Sequence, residues 1–354
     1  MPVTRKVITK IEVTRMAGGV FCDWISIYQV HLEGVPLVND GHVFSVDQDG
    51  VVKWDVAQKL VHRGSHDTTI RIRSDGFRVS LDGNMGRFDR ADNLFGYTVS
   101  DCVALANKLL AVYGLPPFVD KAPFKSYSRL DEEDVIDVAS GAVITRVDLT
   151  KNWVTGSPGN CSQFIRYLQG FKSGRHEPRA YKTTGVSWGE GSQYWYAKIY
   201  DKAAEYMRQY GKGSKKFDPR LFSYMLESGI ARHEISLKSR YLKQNSLWRF
   251  SQWGDGMEER VYALFGDVVD GSGAVDEYLE IPGRAGELAV AWRDGADLKK
   301  RLAQNTYYRY RRELLGYGID IAVPCNVHRI RQRVEVVTLT PAIPPVWYDL
   351  LKVA

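Results

Sequence analysis

Residues 193–200, Gln193-Tyr194-Trp195-Tyr196-Ala197-Lys198-Ile199-Tyr200, run without a break into Asp201-Lys202-Ala203-Ala204-Glu205-Tyr206-Met207-Arg208-Gln209-Tyr210-Gly211. The first part alternates with period two. It puts Trp195, Ala197 and Ile199 on an apolar face and Tyr194, Tyr196, Lys198 and Tyr200 on the other. The second part reads as a helix over 201–210, closed by Gly211. A strand feeds a helix, and Tyr200 stands at the junction.

Two further segments alternate. In 143–150, Val143, Thr145, Val147 and Leu149 form the more apolar face, opposite Arg146 and Asp148. In 230–238, Arg232, Glu234, Ser236 and Lys238 share a polar face. Ala231, His233, Ile235 and Leu237 share the other, so His233 points away from Glu234 and reads as a core histidine. Helices are predicted over 99–113 and 162–170, and a hairpin turn at Ser74-Asp75-Gly76 between strands at 68–73 and 77–81. Alternating strands with intervening helices predict an α+β fold with a mostly antiparallel sheet.

Four parts are expected: a strand-rich part over 1–120, a part carrying the three alternating strands over 121–250, a Gly- and acid-rich connection over 251–288, and a basic helical unit over 289–354. The chain has 354 residues, 44% hydrophobic and 25% charged. That composition excludes a wholly disordered chain, a collagen and a coiled coil. Lys and Arg number 48 against 42 Asp and Glu, a formal charge of +6 that fits nucleic-acid binding without requiring it. Cys22, Cys102, Cys161 and Cys325 form no CxxC pair, which points to a reducing compartment. The N-terminal stretch is basic but not apolar, so it is not read as a signal peptide, and no run approaches the ~20 apolar residues of a membrane span. A soluble, cytoplasmic protein without a membrane partner is expected.

The face of Tyr200 has two readings. It is either a half-exposed strand with amphipathic tyrosines or the seat of a nucleophile. A phenol, with an ordinary pKa of about 10, needs a cation or base beside it to attack. Lys198 shares its face and Lys202 follows, although Lys202 and Glu205 also stand at ion-pair spacing. The Arg-x-acid pairs likewise have two readings, as same-face salt bridges or as carboxylates converging on a hard cation. No P-loop or HExxH occurs, and no His-x-His pair is found among the seven histidines.

Several segments together resemble the gene II-type replication initiators of filamentous bacteriophages, which are rolling-circle nicking and joining enzymes. They are Asn93-Leu94-Phe95-Gly96, Thr145-Arg146-Val147-Asp148 and Val186-Ser187-Trp188-Gly189-Glu190, with Trp188 twelve residues before Tyr200. Tyr200-x-Lys202-x-x-Glu205, Arg232-His233-Glu234, and Lys238-Ser239-Arg240-Tyr241-Leu242-Lys243 follow in order. The ending Trp347-Tyr348 with Leu351-Lys352-Val353-Ala354 completes the series.

The resemblance implies an initiator-like core with flanking helices and a small, mainly helical C-terminal unit. It implies Tyr200 as nucleophile, with Lys198 and Lys202 assisting and Tyr194 or Tyr196 as fallbacks. It implies Mg²⁺ or Mn²⁺ held by Asp148 and Glu234, with Asp23 as a third ligand, unless Asp23 only pairs with an Arg. Double-stranded and single-stranded phage origin DNA, host helicase and host polymerase are the implied partners, with oligomerisation on DNA. Arg71, Arg73, Lys212, Lys215, Lys216, Lys238, Arg240 and Lys243 are candidate phosphate contacts. The alternatives are a non-catalytic origin-binding or regulatory protein, and a plasmid or conjugative nickase. A structural or virion protein fits poorly, because nothing resembles an apolar anchor or a repeat.

Overall fold

The computed structural model describes residues 19–122, 124–127, 134–137, 141–211, 213–265, 281, 283–293, 295–317, 319–323, 337 and 339–348. Cys325, Lys212 and the ending 351–354 lie outside them. In chain order, β1 (Phe21–Val30) is followed by a two-stranded ribbon, β2 (His42–Val46) and β3 (Val52–Ala57). Then come β4 (Leu60–Arg63), β5 (Thr69–Ser74), β6 (Arg78–Gly83), α1 (Val99–Val112) and a second ribbon, β7 (Phe124–Tyr127) and β8 (Asp134–Asp137). The run continues with β9 (Val143–Val154), α2 (Pro158–Leu168), β10 (Arg179–Tyr181), β11 (Gly185–Trp188) and β12 (Trp195–Asp201). It goes on through α3 (Lys202–Tyr210), α4 (Pro219–Glu227), β13 (Ile230–Lys238), α5 (Ser239–Gln244) and α6 (Met257–Ala263).

The main sheet is antiparallel, in the order β10-β11-β12-β13-β9-β1-β6-β5-β4. The three alternating segments therefore lie side by side, with β13 between β12 and β9. Tyr200 pairs with Arg232, Lys198 with Glu234, and Ser236 with Asp148. The α+β expectation holds. The opposite sheet face is apolar: Val147, Leu149, Ile199, Ala231, Ile235 and Leu237 are buried. His233 is buried on that side, its Nδ1 2.7 Å from the Tyr262 hydroxyl, and burial lowers its pKa from 6.5 to about 3.

Local signals explain the junctions. Thr98 and Asp101 form a capping box at α1, and Ser157 caps α2 with Pro158 in its first turn. The β5–β6 turn closes as Asp75 Oδ1 accepts the amides of Phe77 and Arg78 at 3.1 and 2.7 Å. Asp201 caps α3 by accepting the Ala204 amide at 3.0 Å. The helix thus starts one residue after Tyr200 leaves the interior of the strand, and Lys202 is its first residue.

A second compact unit spans 269–338, and 339–354 belong with the first unit. It contains α7 (Arg284–Arg293), α8 (Leu298–Arg301) and α9 (Gln304–Leu315), around Ala285, Ala289, Leu298, Tyr307 and Leu314. Among its described basic residues, Lys299, Lys300, Arg301, Arg309 and Arg312 are exposed, and Arg311 is bidentate to Asp320 at 2.7 and 2.9 Å. The boundary suggested at 289 falls inside α7. The helical unit also does not run to the end, because β14 (Thr340–Pro341) joins the main sheet beside β9.

Unfolded His233 binds a proton near pH 6.5, whereas folded His233 resists one until about pH 3. Its contribution is therefore whole above pH 6.5 and is lost as the pH falls toward 3, costing about 2 kcal/mol at pH 5. Denaturant midpoints should fall between pH 7 and pH 5, and His233→Phe should flatten part of that fall.

Candidate active site

Glu234 lies at the centre of the charged face, 9% exposed. The Tyr200 hydroxyl donates to its Oε1 at 2.5 Å, and Arg232 Nε donates to the same oxygen at 2.9 Å. Lys198 Nζ lies 2.8 Å from Oε2. Burial would raise the carboxyl pKa, but Lys198 and Arg232 outweigh it and hold Glu234 well below the usual carboxylate range. Tyr200 responds in the opposite direction. Burial and then the charge of Glu234 push its pKa well above the ordinary phenol value. The expectation that Lys198 and Lys202 draw out a phenolate is corrected here. Lys198 is bound to Glu234, and the two ammonium groups sit 5.4 and 6.0 Å from the ring centroid of Tyr200.

The half-exposed strand reading also fails at this end of the sheet, because the face is roofed. α3, α4 and residues 94–95 form a core with Ile230, Ala342 and Tyr348. Beneath it Asn93 is a hub. Its Oδ1 accepts from Lys202 Nζ at 3.1 Å, its carbonyl accepts from Arg232 Nη1 at 2.5 Å, and its Nδ2 donates to Asp23 Oδ1 at 3.4 Å. Gly96 lets this loop close, because a Cβ there would lie 2.2 Å from the Phe21 ring. Lys202, buried and beside Arg232, has a lowered pKa; Glu205 Oε2, 3.3 Å away, partly restores its charge.

On the other side Gly185 faces Tyr200 across the ladder, and a Cβ would lie 2.8 Å from that of Tyr200. The space lets Tyr181 pack on Tyr200, with ring centroids 5.6 Å apart. A small opening of about 140 Å³ reaches Tyr200 between Tyr181, Lys182, Thr184, Glu205 and Arg208.

The three proposed metal ligands do not fit a cation as arranged. Both oxygens of Asp148 are taken by Arg146, at 2.8 and 2.6 Å. Both oxygens of Glu234 are taken as described, and Asp23 pairs with Arg232 at 3.6 Å. Among the described residues, the buried polar atoms without a hydrogen bond on this face are Thr150 Oγ1, Asn152 Oδ1 and Arg232 Nη2, and a guanidinium repels a cation. Among the described residues no group of three His, Cys, Asp or Glu side chains could hold a metal. The salt-bridge reading of both Arg-x-acid pairs holds in this structure.

The candidate phosphate contacts are scattered. Arg71 and Arg73 sit on β5, five strands from β12 and therefore about 24 Å across the sheet. Arg71 approaches Asp82 at 3.9 Å, and Arg73 donates to the Ala57 carbonyl at 3.5 Å. Lys216 pairs with Asp67, and Lys238 donates to the Ser192 carbonyl. Lys215, Arg240 and Lys243 are exposed. Lys238 ends β13, about 20 Å along the strand from Arg232, and Arg240 and Lys243 follow it on α5. The residues nearest Tyr200 that sequence reasoning did not select are Asn93, Arg232, Tyr181, Lys182 and Glu205. The Asn-Leu-Phe-Gly run, the Arg-x-Glu spacing and the Tyr-x-Lys-x-x-Glu run carried the signal for three of them, Asn93, Arg232 and Glu205.

Fold and site together define an α+β protein whose sheet carries a buried tyrosine–carboxylate pair ringed by cations. Residues 22–256 match the family described as Replication-associated protein G2P N-terminal, and residues 284–351 match Replication-associated protein G2P C-terminal. The chain belongs to the replication-associated protein G2P family, and the gene II-type resemblance holds. It is 29% identical over 318 residues to Replication-associated protein G2P of Escherichia phage If1, covering 79% of this chain and 96% of that protein. It is 23% identical over 351 residues to the protein of the same name from Enterobacteria phage I2-2, covering 93% of this chain and 96% of that one. A solved rolling circle replication initiator from Geobacillus stearothermophilus aligns over 71% of this chain and 96% of its own at 11% identity, with a TM-score of only 0.26. Among the described residues no helix is long and apolar enough to cross a membrane.

With its carboxylates committed to cations, the DNA-free protein should show no saturable Mn²⁺ binding by calorimetry. A stoichiometric site that disappears in Asp148→Asn or Glu234→Gln would restore the metal-ligand assignment.

Proposed function

We propose that this protein initiates rolling-circle replication of phage DNA by nicking one strand of the double-stranded origin through tyrosine transesterification. The hydrogen bond from Tyr200 to Glu234, inside a ring of Lys198, Arg232 and Lys202, carries the reading, and family membership supports its setting. A phenol in a cation-lined pocket can exchange one phosphodiester for another, and that exchange conserves the bond energy without ATP.

In this reaction Glu234 accepts the Tyr200 proton as Oη attacks phosphorus in line. The P–O3′ bond breaks, leaving a 5′-phosphotyrosyl link. Lys202 supplies the proton to the departing 3′ oxygen. Lys198 and Arg232 neutralise the charge that builds on the phosphoryl oxygens. A host polymerase extends the free 3′-OH while a host helicase unwinds, and a second transesterification closes the displaced strand. Lys182 and Arg208, beside the opening, guide the entering strand.

Tyr200→Phe should abolish nicking and the covalent adduct on supercoiled origin DNA, as read on a denaturing gel, while origin binding stays within about twofold. Tyr196→Phe should nick normally. Nicking by Tyr200→Phe, with loss in Tyr196→Phe, would move the nucleophile to Tyr196. Binding by the wild type without any nick would favour the regulatory DNA-binding alternative.

A further inference from the structure

The returning segment 339–348 reaches the active site from behind. β14 pairs at Thr340↔Val154 and Pro341↔Trp153, and the Ala342 amide donates to the Asn152 carbonyl at 2.9 Å. Beyond it, Trp347 is fixed by the Arg220 guanidinium, 4.5 Å from its ring centroid, and by Tyr224 at 6.1 Å. Tyr348 then enters the core, 6% exposed and edge-on to Phe95 at 5.0 Å.

Its hydroxyl is more informative than its ring. It donates to Asp92 Oδ1 at 2.5 Å and accepts from Arg90 Nη2 at 2.7 Å and from the Phe95 amide at 3.4 Å. Asp92 Oδ1 also accepts the Leu94 amide at 2.8 Å. One hydroxyl therefore pins the loop on both sides of Asn93, the residue that holds Lys202, Arg232 and Asp23. A residue present only to fill the core would not need three polar partners in a buried place.

We propose that residues 339–348 form a positioning strap for the active site, with the Tyr348 hydroxyl setting Asn93 and, through it, Lys202 and Arg232. Tyr348 is a positioning residue, not a catalytic one. The inference rests on the proposed role of Tyr200, and its test includes a measurement independent of that role.

The test compares full-length Tyr348→Phe with the wild type, because Phe keeps the ring and removes the hydroxyl. In the DNA-free protein, amide hydrogen exchange at Leu94 and Phe95 should rise by about tenfold. Single-turnover adduct formation on origin DNA should slow by about tenfold, with DNA affinity within about twofold. In an Asn93→Ala background Tyr348→Phe should slow the adduct no further, since both act through one contact chain. Unchanged exchange and rate, or equal losses in both backgrounds, would overturn the strap. If Tyr348→Phe melts below the assay temperature, Asp92→Asn replaces it, with the same outcomes expected. If the wild type forms no adduct, the Tyr200 reading fails, and the exchange measurement still decides the strap.

Discussion

One buried carboxylate dictates the arrangement around it. Glu234 sits where an isolated ion would protonate, and it stays charged because Lys198 and Arg232 occupy its oxygens with Tyr200. Arg232 is wholly buried, so it imposes its own demands. The carbonyl of Asn93, the carboxylate of Asp23 and the face of Phe21, 5.2 Å from the guanidinium, answer them. The requirement passes outward through Lys202 to Glu205, and from Glu205 to Lys182 and Arg208 at 3.9 and 3.4 Å. Removing one member of such a buried set costs about 3–5 kcal/mol, because it strands a charge. The Arg146–Asp148 pair obeys a different scale. Arg146 is 43% exposed and screened by water, so the pair contributes at most about 1 kcal/mol.

What the sequence made legible follows from the same physics. Alternation placed Tyr200, Lys198, Arg232, Glu234 and Asp148 on one face, and the strand order brings those faces together. It also sent His233 to the core. Period-two patterning reports which side of a strand a residue occupies, but not what covers that side. The roof over this face comes from α3, α4, residues 94–95 and the returning Tyr348, which contacts Asp92 across 256 positions of chain. No local pattern encodes so distant a contact, so Asn93 was visible as part of a motif but not as a hub. The metal-ligand reading meets a related obstacle. Two acids on adjacent strands satisfy the spacing for a cation, yet each has an arginine two residues away on its own face, and that local partner takes it first.

The pairing of Tyr200 with Glu234 makes the resting protein inert in the proposed reaction. The carboxylate is held acidic and the phenol is held protonated, so proton transfer between them runs uphill until another anion changes the balance. A phosphodiester entering beside Tyr181 and Lys182 is such an anion. Near Lys198 and Arg232 it competes with Glu234 for the same cations, which raises the carboxyl pKa and makes Glu234 a better base. As the phenol proton moves to Glu234, the two cations are released from the carboxylate to the phosphoryl oxygens. Charge on the cation side therefore stays nearly constant through the step, and little reorganisation is required of buried groups. The charged cluster has six cations, Arg146, Lys182, Lys198, Lys202, Arg208 and Arg232, for the four carboxylates Asp23, Asp148, Glu205 and Glu234. That excess of positive charge favours an entering phosphodiester, and in the proposed reaction Glu234 gains basicity only once the substrate competes for Lys198 and Arg232, which would confine the reactivity of Tyr200 to DNA already in place.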